Sequence, residues 1–267
     1  RQLHVQTFVI NLASAHQRRA FMAKQLNALD IHFEFCDAVS PQDVPVATLD
    51  RLRLGWERPL KATEVACFLS HATLWERVAT GKAPVLILED DALLSQRLPD
   101  FLQRVEVLSD IDHLSLEVHY KKKWLGPSVP VGPEMAVAQM HLDRSGAAAY
   151  ILWPTGAQRL TRRVAEGEVA LADAFMTNEA HWRSFQADPV MALQTEAAEF
   201  HTVMSDFRMP SIIQAYGAGN EGGGTASLNT VRFKWRRLLS QWRLGLRKLK
   251  IIGRVKPRWP QVIHSDF

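Results

Sequence analysis

The chain has 267 residues, 47% of them hydrophobic, and a formal net charge of +4. That composition supports one large α/β domain or two small ones with a genuine core, and no apolar run approaches the roughly 20 residues of a membrane-spanning helix. Two cysteines without CxxC spacing, Cys36 and Cys67, exclude a disulfide framework and a cysteine-based zinc site, and a reduced, cytosolic setting fits them.

The opening stretch "RQLHVQTFVINL" lacks the long apolar segment of an export signal. It begins at Arg1, which is compatible with removal of a short leader. Residues 4–12 read as a first strand, and "SAHQRRAFMAKQLNAL" follows as a helix with Phe21, Leu26 and Leu29 on its apolar face. "IHFEFCDAV" alternates as a second strand. "KATEVACFLSHATLWERVATGK" is a long helix closed by Gly81. "PVLILEDDALL" then gives a short buried strand, Val85–Leu88, that runs into Glu89, Asp90 and Asp91. The alternation of strand and helix predicts a mostly parallel central sheet with flanking helices. Beyond it, residues 98–108 read as helix, "HLSLEV" as strand and residues 120–133 as a long loop. Pro154 opens another helix. Domain boundaries are expected at 1–216 for the globular body, 217–227 for a glycine-rich linker and 228–267 for a basic tail.

Three adjacent carboxylates at the end of a buried strand repel one another. Alternate residues of a strand share a face, so Glu89 and Asp91 can converge while Asp90 points elsewhere. Ligands of open α/β sheets bind at the carboxyl ends of strands, and clustered carboxylates select hard divalent ions such as Mg²⁺ or Mn²⁺. The plain alternative is a solvated strand end with Asp91 capping a helix.

The segments "VINLASAHQRR", "FCDAV", "EVACFLSHATLW", "ILEDDA" and "GAAAYIL...GAQRL" occur in that order. Together they resemble glycosyltransferase family 25, the bacterial lipooligosaccharide β-galactosyltransferases and their relatives, over roughly residues 5–215. The resemblance implies a nucleotide-sugar-binding fold of the GT-A type, in which the acidic triplet holds a divalent metal on the donor diphosphate. It implies Asp91 and Glu89 as metal ligands. It further implies Asn11, Arg18, Asp37, Glu64, His71, Glu89 and Asp90 around the donor, with Arg19 an equal alternative to Arg18. For the general base of an inverting transfer it implies Asp173 in "ALADAF", with Glu168 in reserve. His71 can equally be a core histidine, and Asp173 a plain helix cap. Thr63 departs from the glycine that many relatives carry before the helix glutamate.

The resulting expectation is a metal-dependent inverting glycosyltransferase that moves galactose from UDP-galactose to a lipid-linked saccharide such as a lipooligosaccharide core. The alternatives are another metal-dependent phosphate chemistry, nucleotidyl or phosphoryl transfer, or a non-catalytic module binding membrane or nucleic acid. The last is prompted by the tail: from Leu228 onward eleven Lys/Arg face one acid, a net of +10, so the preceding residues carry −6. At helical spacing Trp235, Leu238, Leu239, Trp242, Leu246 and Leu249 fall on one stripe, with Lys and Arg outside it. That pattern predicts peripheral attachment to an anionic membrane surface, on the cytoplasmic face of the inner membrane, rather than nucleic-acid binding. "GAGNEG" (217–222) matches a dinucleotide-binding glycine pattern only formally, since no apolar helix follows it.

Overall fold

The structure, a computed structural model, describes residues 5–142, 146–177, 182–203 and 226–267. Eleven strands and eight helices are named among these residues. The first strand β1 (Gln6–Asn11) is followed by α1 (His16–Ala28), β2 (Phe33–Asp37), α2 (Val46–Arg53) and α3 (Ala62–Ala79). Next come β3 (Val85–Glu89), β4 (Ala92–Leu94), α4 (Leu98–Val105), β5 (His113–Ser115), β6 (Lys123–Gly132), β7 (Met135–Leu142) and β8 (Ala149–Leu152). The chain continues through α5 (Pro154–Ala165), α6 (Ala172–Thr177), β9 (Ser184–Asp188), β10 (Ala192–Gln194) and α7 (Thr195–Ala198). It closes with α8 (Ala226–Ile251) and β11 (Lys256–Arg258).

Nine strands form one sheet in the order β11-β6-β7-β9-β5-β8-β3-β1-β2. Helices cover both of its faces, which is why β1 and β3 read as continuous apolar runs instead of alternating ones. On one face Val9, Leu86 and Leu88 pack with Met22 and Leu26 of α1 and Phe101 of α4. On the other, Phe8, Ile10 and Ile87 pack with Phe68 and Trp75 of α3 and Phe175 of α6. The aromatic trio is closely fitted: Trp75 stacks on Phe175 at 5.4 Å and Phe68 meets both edge-on.

The expected parallel sheet holds only in part. β1 pairs in parallel with β2 and β3, and β5 with β9. β8 inserts antiparallel between β3 and β5, and β6, β7 and β11 continue antiparallel. The register of the parallel end places the site. Asn11 stands opposite Asp37, and Ile10 opposite Glu89, so three strand ends terminate side by side.

Two further expectations are corrected. Residues 123–132 are a strand, not a loop. Pro127 and Pro130 interrupted the strand pattern, but register shifts in the β6–β7 pairing accommodate them. Lys123, within the expected loop, is fully buried. Its ammonium donates to Ser115 Oγ at 3.0 Å, Glu117 O at 2.9 Å and Gln186 Oε1 at 2.7 Å, which replaces its water shell.

The basic C-terminal segment also divides in two. Residues 226–251 are the helix α8, but the chain then returns to the domain. β11 adds to the edge of the sheet beside β6, and Arg258 Nη1 pairs with Asp188 at 2.7 Å. Trp259, Val262 and Phe267 pack on the cluster of Val118, Val190 and Leu193. Periodicity gave no hint of this return, because a three-residue strand carries too little pattern. The expected linker lies outside the described residues as far as position 225.

Removing residues 254–267 should therefore destabilise the domain itself, by roughly 3 kcal/mol from lost apolar burial and the Asp188 pair, a fall in Tm of about 10 °C. Thermal unfolding of the truncated chain checks this; an unchanged Tm would make the segment dispensable.

Candidate active site

Two cavities open where the parallel strands end. The first, about 510 Å³, is lined by Arg18, Asp37, Ser70, His71 and the acids Glu89, Asp90 and Asp91. The second, about 250 Å³, is lined by Glu64, His119, Gly146, Asp173 and Gln194. Cys67 and Glu89 line both, so the cavities meet at those two side chains.

The three acids are in three different states. Asp90 is buried and turned inward, where Arg18 Nη1 donates to it at 2.6 Å and Asn11 Nδ2 at 2.8 Å. Burial raises its carboxyl, and these two donors oppose that rise. Glu89 is held by His71, whose Nε2 lies 3.1 Å from Glu89 Oε1. Asp91 lies in the turn before β4 and caps no helix. Its Oδ1 is buried without a hydrogen-bond partner, and its other oxygen is 3.7 Å from Arg18. Burial, with the charge of Glu89 adding to it, pushes Asp91 up to about 7.

The protonation of His71 follows from a one-way chain. Trp75 Nε1 can only donate, and it donates to Tyr150 Oη at 3.0 Å. Tyr150 Oη lies 2.8 Å from His71 Nδ1, and on the other side of the ring Nε2 faces the Glu89 carboxylate, which can only accept, so a neutral ring that donates there accepts from the phenol at Nδ1. His71 then carries its proton on Nε2 and donates to Glu89. Ring and carboxylate are fixed by a buried relay that begins in the core.

This relay decides which groups can hold a cation. Cys67, His71 and Glu89 bring their ligand atoms within 4.8 Å of one another. His71 has neither nitrogen free for a metal, and burial raises the Cys67 thiol well above its ordinary value, so it stays protonated. Hard carboxylate oxygens remain. Asp91, with one buried oxygen unpartnered and its carboxyl raised by burial and by Glu89, and the oriented Glu89 fit a Mg²⁺ or Mn²⁺ ion, whose charge would favour the ionised form of both.

Several residues expected around a donor do other work. Asn11 is buried behind Asp90 and does not line the first cavity. Arg18 lines it, but directs Nη1 at Asp90. Arg19 lies over the Phe35 ring at 4.1 Å. Glu64 belongs to the second cavity and to the start of α3. There it accepts from Lys61 N at 2.8 Å and from both Arg58 nitrogens at 2.8 Å. Burial raises its carboxyl, but these donors outweigh that and hold it below its ordinary value. Lysine offers no acceptor in return, so only half of a capping box forms. Asp37 does line the first cavity. Asp173, in the first turn of α6, lines the second. Glu168, the reserve candidate, lines neither cavity and pairs with Arg163 at 2.8 Å on the surface.

Sequence reasoning missed Glu117. It is buried, its Oε1 accepts from Ala148 N at 2.6 Å, and Oε2 has no partner. Gly146, at φ +100, must be glycine, since a Cβ there would lie 3.0 Å from the Glu117 carboxyl. Burial lifts that carboxyl to about 8, with Lys123 opposing. The only clue in sequence was an acid inside the apolar stretch "HLSLEV".

The family of glycosyltransferase family 25 (LPS biosynthesis protein) matches residues 4–176, and the chain belongs to it. A Haemophilus influenzae putative glycosyltransferase is 30% identical over 59% of this chain and 57% of its own length. The lipooligosaccharide biosynthesis protein lic2B of Haemophilus influenzae is 26% identical over 72% of this chain and 76% of its own. A probable inactive glycosyltransferase 25 family member 3 of Rattus norvegicus is 34% identical over 55% of this chain and 27% of its own. The chain thus spans between about a quarter and three quarters of these relatives.

The Glu117 carboxyl supplies a signed pH test. Its ordinary value of 4.5 rises to about 8 on folding, so the folded chain keeps a proton that the unfolded chain releases. Its contribution to stability therefore falls as pH rises across that window and is flat above it. Glu117→Gln should gain on the parent chain in urea midpoint between pH 5 and pH 8.5. An identical offset at both pH values would show that the carboxyl is ionised when folded.

Proposed function

We propose that the chain is a metal-dependent inverting glycosyltransferase that moves galactose from UDP-galactose to a lipid-linked saccharide. The observation that carries this reading is the pair of cavities that meet at Glu89. One is walled by three strand ends and an acidic turn, as a nucleoside diphosphate with a cation requires. The other holds a carboxylate on a helix's first turn, as an acceptor with a general base requires. The relatives' names support the substrate class: lic2B is a lipooligosaccharide biosynthesis protein, and an LgtE of Neisseria gonorrhoeae, 32% identical over 55% of this chain, is a lacto-N-neotetraose biosynthesis glycosyltransferase.

In this reading the first cavity takes the UDP moiety, with Asp37 at the end of β2 toward the nucleoside. Glu89 and Asp91 would hold Mn²⁺ or Mg²⁺, which when bound supplies positive charge for the departing diphosphate. Asp90 acts indirectly by fixing Arg18 beside Asp91. The acceptor hydroxyl enters from the second cavity and gives its proton to Asp173. Its oxygen forms a bond to the anomeric carbon as the bond from that carbon to the diphosphate breaks, with inversion. Cys67 and Glu89 stand at the junction where these atoms would meet.

Two measurements test this. Asp91→Asn should abolish UDP-sugar turnover and the Mn²⁺-dependent rise in Tm, while the metal-free Tm stays within about 2 °C or rises, because a buried, crowded carboxyl is replaced by a neutral amide of the same shape. Activity that survives both EDTA and Asp91→Asn would end the metal reading. Asp173→Asn should lower kcat by at least about 100-fold with little change in the apparent affinity for UDP-galactose, since the proton moves only in the transition state. Equal losses in kcat and donor affinity would instead put Asp173 in donor binding.

A further inference from the structure

The helix α8 packs on the domain by the side opposite to the one its sequence advertises. Among residues 233–251 the half-buried positions are Phe233, Arg236, Ser240, Leu244, Arg247 and Ile251, spaced three and four apart along one seam. Two arginines fasten this seam to backbone carbonyls. Arg236 Nη1 donates to Leu54 O at 2.5 Å and Trp56 O at 3.2 Å, and Arg247 donates to Thr177 O at 3.3 Å and His141 O at 3.5 Å. Lys248 lies over the Trp124 ring at 5.3 Å.

The apolar stripe is left pointing outward. Trp235, Leu238, Leu239, Trp242, Leu246 and Leu249 are between 42% and 67% exposed. An ordinary surface helix buries such a stripe and shows its charges to water. Here Lys234 flanks the stripe on one side and Arg243 and Lys250 on the other, Arg237 lies exposed between Lys234 and the packed seam, and residues 226–251 contain no acid. No helix among the described residues is long and apolar enough to cross a membrane.

We propose that this face of α8 is a docking surface for an anionic lipid bilayer, mounted rigidly on the catalytic domain. Tryptophan and leucine would enter the headgroup boundary while the flanking cations meet lipid phosphate, the composition of an interfacial helix. The anionic cytoplasmic leaflet supplies the matching charge. A second copy of the chain is a poor occupant, because joining two such faces would bring their cations together with no acid to balance them. Nucleic acid would match the cations but not the tryptophan and leucine at the centre.

The mount matters as much as the face. Arg247 holds the carbonyl of Thr177 at the end of α6, and Asp173 opens that same helix. The second cavity is therefore held at a set position relative to the bilayer. This last point rests on the assignment of that cavity to the acceptor; the docking face does not, and its test needs no enzyme activity.

The test is vesicle sedimentation of the full chain, using phosphatidylglycerol–phosphatidylcholine (30:70) against phosphatidylcholine alone. The parent chain should sediment with the anionic vesicles, be released as NaCl rises from about 0.05 to 0.5 M, and ignore the neutral ones. Trp235→Ser/Trp242→Ser should weaken binding at least tenfold, and Arg243→Ser/Lys250→Ser should weaken it and flatten its salt dependence. Both pairs are solvent-facing, so Tm and transfer to a soluble acceptor should be unchanged. Equal sedimentation of the parent chain and the tryptophan pair would overturn the proposal. So would absence of vesicle binding together with dimerisation, or with RNA retention, that the same substitutions abolish.

Discussion

Like-charge crowding at the end of β3 is the constraint on which the site depends. Three carboxylates in sequence cannot all remain solvent-free and ionised, so the fold treats each differently. Arg18 pairs its charge with Asp90, and Asn11 donates a hydrogen bond to it from behind. A relay from Trp75 through Tyr150 and His71 fixes Glu89. Asp91 is left with a buried, unpartnered oxygen and a carboxyl pushed to about 7. The cost of ionising a third carboxyl is thus concentrated on one side chain at the cavity wall, where a cation would offset it most.

The same relay ties the site to the core. Trp75 is both the first donor of the chain and a member of the stack with Phe68 and Phe175. Phe175 lies two residues beyond Asp173. The packing that stabilises the α3–α6 contact therefore also sets the distance between the two cavities. Glu64 serves the same end at the start of α3, where its pairing with Arg58 fixes the helix that carries Cys67 and His71.

The parallel half of the fold was legible because β1, β3 and α3 carry strong periodic signals over several residues each. The site's location followed from the same signals, since the ends of those strands are where ligands sit. The division of labour within the site was not legible. Asn11, Arg18 and Glu64 have the chemistry of donor-binding groups, and only three-dimensional neighbours show that they spend it on Asp90, Arg58 and Lys61. Glu117 and Lys123 were missed for a related reason: a buried charge looks like a surface charge until its partners are known. The antiparallel half was obscured by prolines in β6 and by the brevity of β11. The stripe on α8 was visible in sequence, but which way it faced was not, because a stripe facing inward and one facing outward have the same periodicity.

The return of the chain into β11 changes what kind of part α8 is. A terminal helix followed by nothing could peel away from the body under load. Here the polypeptide leaving α8 is stitched into the edge of the central sheet within five residues, and its last side chains wedge under the β4–β10 pair. Any pull on the outer face of α8 is passed along the strand direction into β6, where several hydrogen bonds must shear together instead of opening one at a time. The helix behaves as a bracket bolted at its far end, and traction on it would turn the whole domain before it bent the joint.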